Sequence, residues 1–123
     1  MSQRTLSPCP SSPNCVSSQA ADDTHAIAPF QYKKSRAEAK EALKAVLTTL
    51  PRTKLVDEDE FYIHYEFTSL LLRFVDDVEF LFDETTKTVH FRSASRTGYS
   101  DFGVNRRRIE ALRSSLVQQG AVK

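Results

Sequence analysis

At Pro51 the hydrophobic period of the chain changes from that of a helix to that of a strand, and this switch limits the folds open to it. Before it, Ser35 and Glu38 match a capping box, Ser as N-cap and Glu three residues on, so a helix is expected to begin there. Ala39, Ala42, Leu43, Val46, Leu47 and Leu50 follow at helical spacing, with Lys40, Glu41 and Lys44 on the outer face, and Pro51 ends the run. After it the apolar residues alternate. Residues 54–57 and 61–67 flank an acidic turn, Asp57 to Glu60, and read as a hairpin. Phe61, Ile63, Tyr65 and Phe67 point to one side of it; Tyr62, His64 and Glu66 point to the other. Residues 72–82 read as a longer strand, residues 83–87 as a turn, and residues 88–93 as a further strand with Val89 and Phe91 inward. Upstream, residues 27–32 alternate loosely, and Pro29 confines them to a sheet edge. A second helix is expected beyond Gly103, where Val104, Arg108, Ile109, Leu112 and Leu116 share one face.

Hairpins bracketed by helices predict an α+β fold: a two-layer domain, with a mostly antiparallel four- or five-stranded sheet and two helices on one face. The 123 residues suffice for one domain with one core. Residues 1–24, rich in Ser, Pro, Asn and Gln, read as a flexible or disulfide-looped N-terminal segment, and residues 25–123 as the single α+β domain. Within the first segment Cys9 and Cys15 bracket two prolines. A small disulfide loop, two free thiols, and a metal site short of ligands all remain open for them.

Charge narrows the partners. A net charge of +1 argues against nucleic acid and against a general membrane-surface binder, because affinity for polyanions rests on many uncompensated cations. No stretch approaches the roughly 18 apolar residues that span a bilayer. The chain therefore reads as soluble, cytoplasmic by default, and periplasmic or plastid-lumenal if a leader has been removed. Locally the balance is uneven. From Asp57 to Glu84 Arg73 is the one Lys or Arg among many carboxylates, whereas from Arg92 to Arg113 six arginines face Asp101 and Glu110. Pairing between neighbouring elements accounts for such blocks. On the polar face of the sheet, Tyr62, His64, Glu66, Arg73, Asp77, Glu79, His90 and Arg92 read as a solvated ladder rather than a metal or acid–base site.

Asp76 breaks the pattern of its strand by falling on the apolar face. Either a bulge at Asp76 and Asp77 shifts the register, or Asp76 is buried and paired; pairing is favoured, with a partner from residues 92–96 or from the helix beyond. The loop that follows, from Ser93 to Asn105, carries two of the three glycines between serines, an Asp and arginines. Asp101 and Asn105 are candidate N-caps of the second helix. Unpaired N–H groups at a helix start, glycines that permit close approach, and Arg96, Arg106 and Arg107 nearby suit a phosphate or carboxylate. The competing reading makes the serines, Asp101 and Asn105 caps, and pairs the arginines with Asp76, Asp77 and Glu79. No glycine pattern matches a phosphate-binding or dinucleotide-binding loop.

Three segments carry a family resemblance: C-P-x-S-P-N-C-V-S-S, F-V-D-D-V-E-F, and F-R-S-A-S-R-x-G-Y-S-D-F-G-V-N-R-R-R-I-E-x-L-R, in that order over nearly the whole chain. In these the sequence resembles domain of unknown function family 1499, found in bacteria and in plastid-bearing eukaryotes. The resemblance implies no activity. It marks Cys9, Cys15, Asp76, Asp77, Arg92, Ser93, Ser95, Arg96, Gly98, Tyr99, Asp101, Gly103, Asn105 and Arg108 as matching the family pattern.

The sequence therefore points to a small non-catalytic binding domain that needs no cofactor or metal. Its expected ligand-binding residues are Ser93, Ser95, Arg96, Gly98, Tyr99, Ser100, Asp101, Gly103, Asn105 and Arg106, with Asp76, Asp77, Arg92 and Arg108 structural. The expected ligand is an anionic small molecule or an acidic peptide. The alternative is an assembly domain that docks on a protein partner, or on itself, through opposed acidic and basic faces. An enzyme fits least: His25, His64 and His90 fall in separate elements, and no spacing joins them to a nucleophile.

Overall fold

The structure, a computed structural model, describes residues 4–123. Its elements run β1 (Cys15–Ser17), β2 (Phe30–Gln31), α1 (Arg36–Thr49), β3 (Thr53–Asp59), β4 (Tyr62–Thr68), β5 (Val75–Asp83), β6 (Thr88–Ser95) and α2 (Val104–Gln118). The strands form one antiparallel sheet of order β1-β6-β5-β4-β3, with β2 also pairing β6. This is the expected two-layer α+β arrangement, with six strands rather than four or five. The additional strand is β1, three residues long and buried throughout, too short for alternation to reveal it.

Local chemistry sets the element ends. Ser35 Oγ accepts from the Glu38 N–H and starts α1, as the capping box predicts, and the helix ends two residues before Pro51. β3 extends through the acidic residues expected to form the turn, because each is neutralised. Glu58 binds Lys40 and Lys44 of α1, while Asp57 and Asp59 bind Arg4. The turn is thereby reduced to Glu60 and Phe61, where Asp59 Oδ1 accepts from the Phe61 N–H. The register runs unbroken through Asp76 and Asp77, so the bulge that was the alternative to pairing there is absent from β5, and a register shift lies in β3, between Leu55 and Asp57. β5 starts at Val75, three residues later than expected, and leaves Leu72 and Phe74 outside the sheet.

The core lies between sheet and helices. Leu43, Val46 and Leu47 of α1 and Ile109, Leu112 and Leu116 of α2 pack against Ile63, Val78, Phe80, Val89 and Phe91. Each such side chain contributes about 1.5–3 kcal/mol by leaving water. Phe91 is central, with Phe30 and Phe80 ring centroids 4.6 and 6.4 Å from its own. After α2 the chain returns to the sheet, where Val122 bridges Tyr32. Among the described residues no helix is long and apolar enough to cross a membrane.

The N-terminal part is fastened to the sheet edge. Cys9 and Cys15 are joined by a disulfide, S–S 2.02 Å, which leads directly into β1. His25, 7% exposed, fixes the following loop by placing Nε2 2.8 Å from the Ser12 carbonyl and Nδ1 2.6 Å from Asp22 Oδ2. Both partners are acceptors, so the doubly protonated imidazole satisfies both. Chiefly the Ser12 carbonyl, with help from Asp22 and against the cost of burial, raises the His25 pKa above its ordinary value.

Candidate functional site

The start of α2 is built on Asn105, which has no exposed surface. Its Nδ2 donates to Asp101 Oδ2 (2.7 Å), Ser95 Oγ (3.1 Å) and the Asn14 carbonyl (3.2 Å). Its Oδ1 accepts from Ser93 Oγ (2.7 Å) and Arg108 (2.6 Å). One side chain thus ties β6, α2 and the residue next to β1 together. Neither Asp101 nor Asn105 occupies the N-cap position; Gly103 does, at φ +81°, a conformation that suits a residue without Cβ. Asp101, two residues earlier, supplies the acceptors, taking the Gly103 N–H on Oδ1 and the Asn105 N–H on Oδ2. Burial works against its charge, but hydrogen bonds from Asn105 and Gly103 outweigh this and hold its carboxyl below the usual range.

Asp76 lies on the apolar face, 8% exposed, with Oδ2 2.7 Å from an Arg108 amino group. The Arg108 guanidinium stacks on the Phe67 ring at 4.5 Å and also donates to Ser93 Oγ. The partner of the misfit carboxylate is therefore in the helix.

Arg96 turns to the opposite face of the sheet, where it binds Asp77 (2.8 Å) and Glu66. That bond holds the Asp77 carboxyl low, against the cost of burial and with a contribution from His64, whose Nε2 lies 2.8 Å away. Tyr62 donates to Glu79, with the Arg4 guanidinium 4.3 Å from its ring centroid; burial, followed by Glu79, pushes its pKa upward. Arg92 reaches the same Glu79 at 4.0 Å. The face expected to be a solvated ladder is a cross-strand network in which Tyr62 is buried. Among the described residues no group of three or more His, Cys, Asp and Glu is placed to hold a metal ion.

The remaining arginines of the loop and helix are also engaged. Arg106 donates to the Ala26 and Thr24 carbonyls, and Arg107 to the Phe102 carbonyl. One contact escaped the sequence spacing: Ser18 Oγ lies 3.1 Å from His90 Nδ1, on a ring whose pKa is depressed by burial. That hydroxyl also takes the Phe91 N–H at the β1–β6 junction.

A cleft of about 570 Å³ opens at the end of the sheet where β4 leaves, β5 enters and β6 passes into α2. Phe67, Leu70, Leu72, Phe74, Phe102 and Val104 give it apolar walls; Asp76 and Arg108 lie at its base, with Ser95, Thr97, Gly98, Ser100 and Asp101 along one side. Of the expected ligand-binding residues, Ser95, Gly98, Ser100 and Asp101 line this cleft. Ser93 and Asn105 are buried, Arg96 faces elsewhere, and Tyr99 is exposed. Gly103 and Arg106 border a smaller hollow of about 200 Å³ on the side of Pro13 and Thr24. The wall formed by residues 67–74 was missed because Leu72 and Phe74 were assigned inward strand positions. Three consecutive leucines fit no alternation, and that was the available signal.

Compared with known proteins, the chain matches the family model described as Protein of unknown function (DUF1499) over residues 5–116. None of the curated proteins and none of the solved structures is detectably similar to it.

Proposed function

The chain belongs to the DUF1499 family, and from that premise we propose that the domain binds, without transforming it, a small amphipathic molecule in the cleft at the end of its sheet. The observation that carries this reading is the cleft's composition, apolar walls over a carboxylate whose Oδ2 alone is taken by Arg108. Binding sites typically combine a mainly apolar lining with a few fixed polar groups. The ligand's apolar body would lie between Leu70, Leu72 and Phe74 on one wall and Phe102 on the other. A hydroxyl or ammonium would donate to the open oxygen of Asp76.

The anion expected from the sequence finds its groups engaged. Asp101 holds the N–H groups at the start of α2, Arg96 is paired on the far face, and Arg106 and Arg107 hold backbone carbonyls. Charge pairing inside the chain, as in Arg4 with Asp57 and Lys44 with Glu58, likewise supports the small-molecule reading over docking through opposed charged faces.

A backbone amide NMR titration of the full chain with decanol, decylamine and decanoate, each below its aggregation concentration, tests the proposal. Decanol and decylamine are expected to shift Ser69, Thr97, Gly98 and Phe102 saturably. Leu72→Asp, on a residue 71% exposed and so harmless to the core, is expected to weaken both by about tenfold or more. Arg96→Ala is expected to leave them unchanged. Silence from all three ligands would refute the cleft; decanoate binding best, with shifts centred on Gly103 and Asn105, would restore the anion.

A further inference from the structure

The end of the molecule that holds the cleft is also where apolar side chains face solvent. Among the described residues ten large hydrophobic side chains are exposed, and Leu70, Leu71, Leu72, Phe74, Tyr99, Phe102 and Val104 are seven of them. They stand on two neighbouring loops and on the first residue of α2, with Leu71 86% and Phe102 85% exposed. A buried cluster of this kind would be core; an exposed one of this size marks a surface that something covers. The loops are held in this form. Ser69 N–H donates to the Phe74 carbonyl and Phe74 N–H to Ser69 Oγ, while Arg73 and Phe102 adopt φ +58° and +53°, left-handed conformations uncommon without glycine.

Charge identifies the covering partner. The segments that build this end, residues 51–53, 68–76 and 95–104, contain Arg52, Arg73 and Arg96 as cations and Asp76 and Asp101 as their carboxylates. Asp76 is committed to Arg108, Asp101 to the start of α2, and Arg96 to Asp77 and Glu66 on the far face. The exposed rim is therefore apolar and cationic, with Arg52 and Arg73 at the surface beside the leucines and Arg107 beside Phe102. Leucine and aromatic side chains that enter the acyl boundary, with arginines at headgroup level, are how a folded domain rests on an anionic bilayer. The small net charge does not oppose this, because Arg52, Arg73 and Arg107 are exposed at this end while its two carboxylates are engaged within the chain.

We propose that residues 69–74 and 99–104 dock this domain on an anionic phospholipid bilayer, with Leu70, Leu71, Leu72 and Phe102 inserted among the acyl chains and Arg73 at the headgroups. The contact is peripheral and needs no membrane-spanning segment. It rests on the exposed loops and their charge, not on occupancy of the cleft, although docking in this orientation would turn the cleft mouth toward the lipid.

The test is sedimentation of the full chain with vesicles of equimolar phosphatidylglycerol and phosphatidylcholine, and with vesicles of phosphatidylcholine alone. The wild type is expected to sediment with the first at low salt and far less with the second. Leu71→Asp is expected to weaken that binding about tenfold or more. Arg73→Glu is expected to weaken it about fivefold or more, leaving the residual phosphatidylcholine binding unchanged. Circular dichroism and the decanol titration verify that both variants are folded and their clefts intact. A wild type that remains in the supernatant with both vesicles overturns the proposal, as does equal sedimentation of Leu71→Asp. Self-association abolished by Leu71→Asp, in the absence of vesicle binding, would overturn it in favour of a second copy of the chain. The cleft reading survives either failure.

Discussion

Asn105 and Asp76 show how single side chains decide what this fold tolerates. Asn105→Asp preserves shape but places a carboxylate where a donor amide meets Asp101 Oδ2 at 2.7 Å and the Asn14 carbonyl at 3.2 Å. Repulsion between buried like charges, added to lost hydrogen bonds, is expected to cost about 3 kcal/mol or more in urea unfolding; a loss below about 1 kcal/mol would show that the network is not what holds α2 to β6. His25 gives a pH dependence with a definite sign. Its folded pKa lies above the unfolded value of 6.5, so its contribution is complete below that value and is lost as pH rises through the folded pKa. The urea midpoint is expected to fall from about pH 6 toward about pH 9, and His25→Gln to flatten that slope. At this scale the sequence was legible where a residue broke a pattern. Asp76 on an apolar face required a partner, and Arg108 on the following helix is its partner. Tyr62 was not legible, because alternation assigns a face and cannot foresee that Arg4, 58 residues away in sequence, will lie over the ring.

Long elements with a clear period were readable and short ones were not. The helix ahead of Pro51 was set by Ser35, by helical spacing and by the proline, all local features. β1 depends instead on non-local support, the ladder to Ala94, Ser93 and Arg92 and the disulfide that precedes it. The closed loop is short, and the chain-entropy contribution of such a loop is about 2 kcal/mol. Cys9→Ser, or reduction, is therefore expected to lower stability by about that amount and to speed amide exchange at Val16 and Ser17 before the rest of the sheet; exchange unchanged at those two amides would mean that pairing alone holds β1. The start of β5 was misplaced for a different reason. Leu70 to Phe74 resemble a buried strand in composition, and only the Ser69–Phe74 turn shows that the chain has left the sheet.

Across the whole molecule, polarity is divided by position. One face of the sheet carries helices and core, the other carries paired charges, and one end gathers unpaired apolar surface around a cleft with a carboxylate at its base. The sequence located half of that end. Ser95, Gly98, Ser100 and Asp101 stood out through loop chemistry, whereas residues 67–74 reach the cleft through the β4–β5 pairing, which no local pattern encodes. The chemistry expected there was an anion's, because free arginines and a bare helix start cannot be told from engaged ones before the chain is folded. The most direct test of the account is a measurement of intermolecular NOEs between decanol methylenes and the bound chain. Contacts to the methyl groups of Leu70 and Leu72 and to the Phe102 ring are predicted. Contacts confined to Val117, or to the Leu55 and Val56 edge, would contradict it.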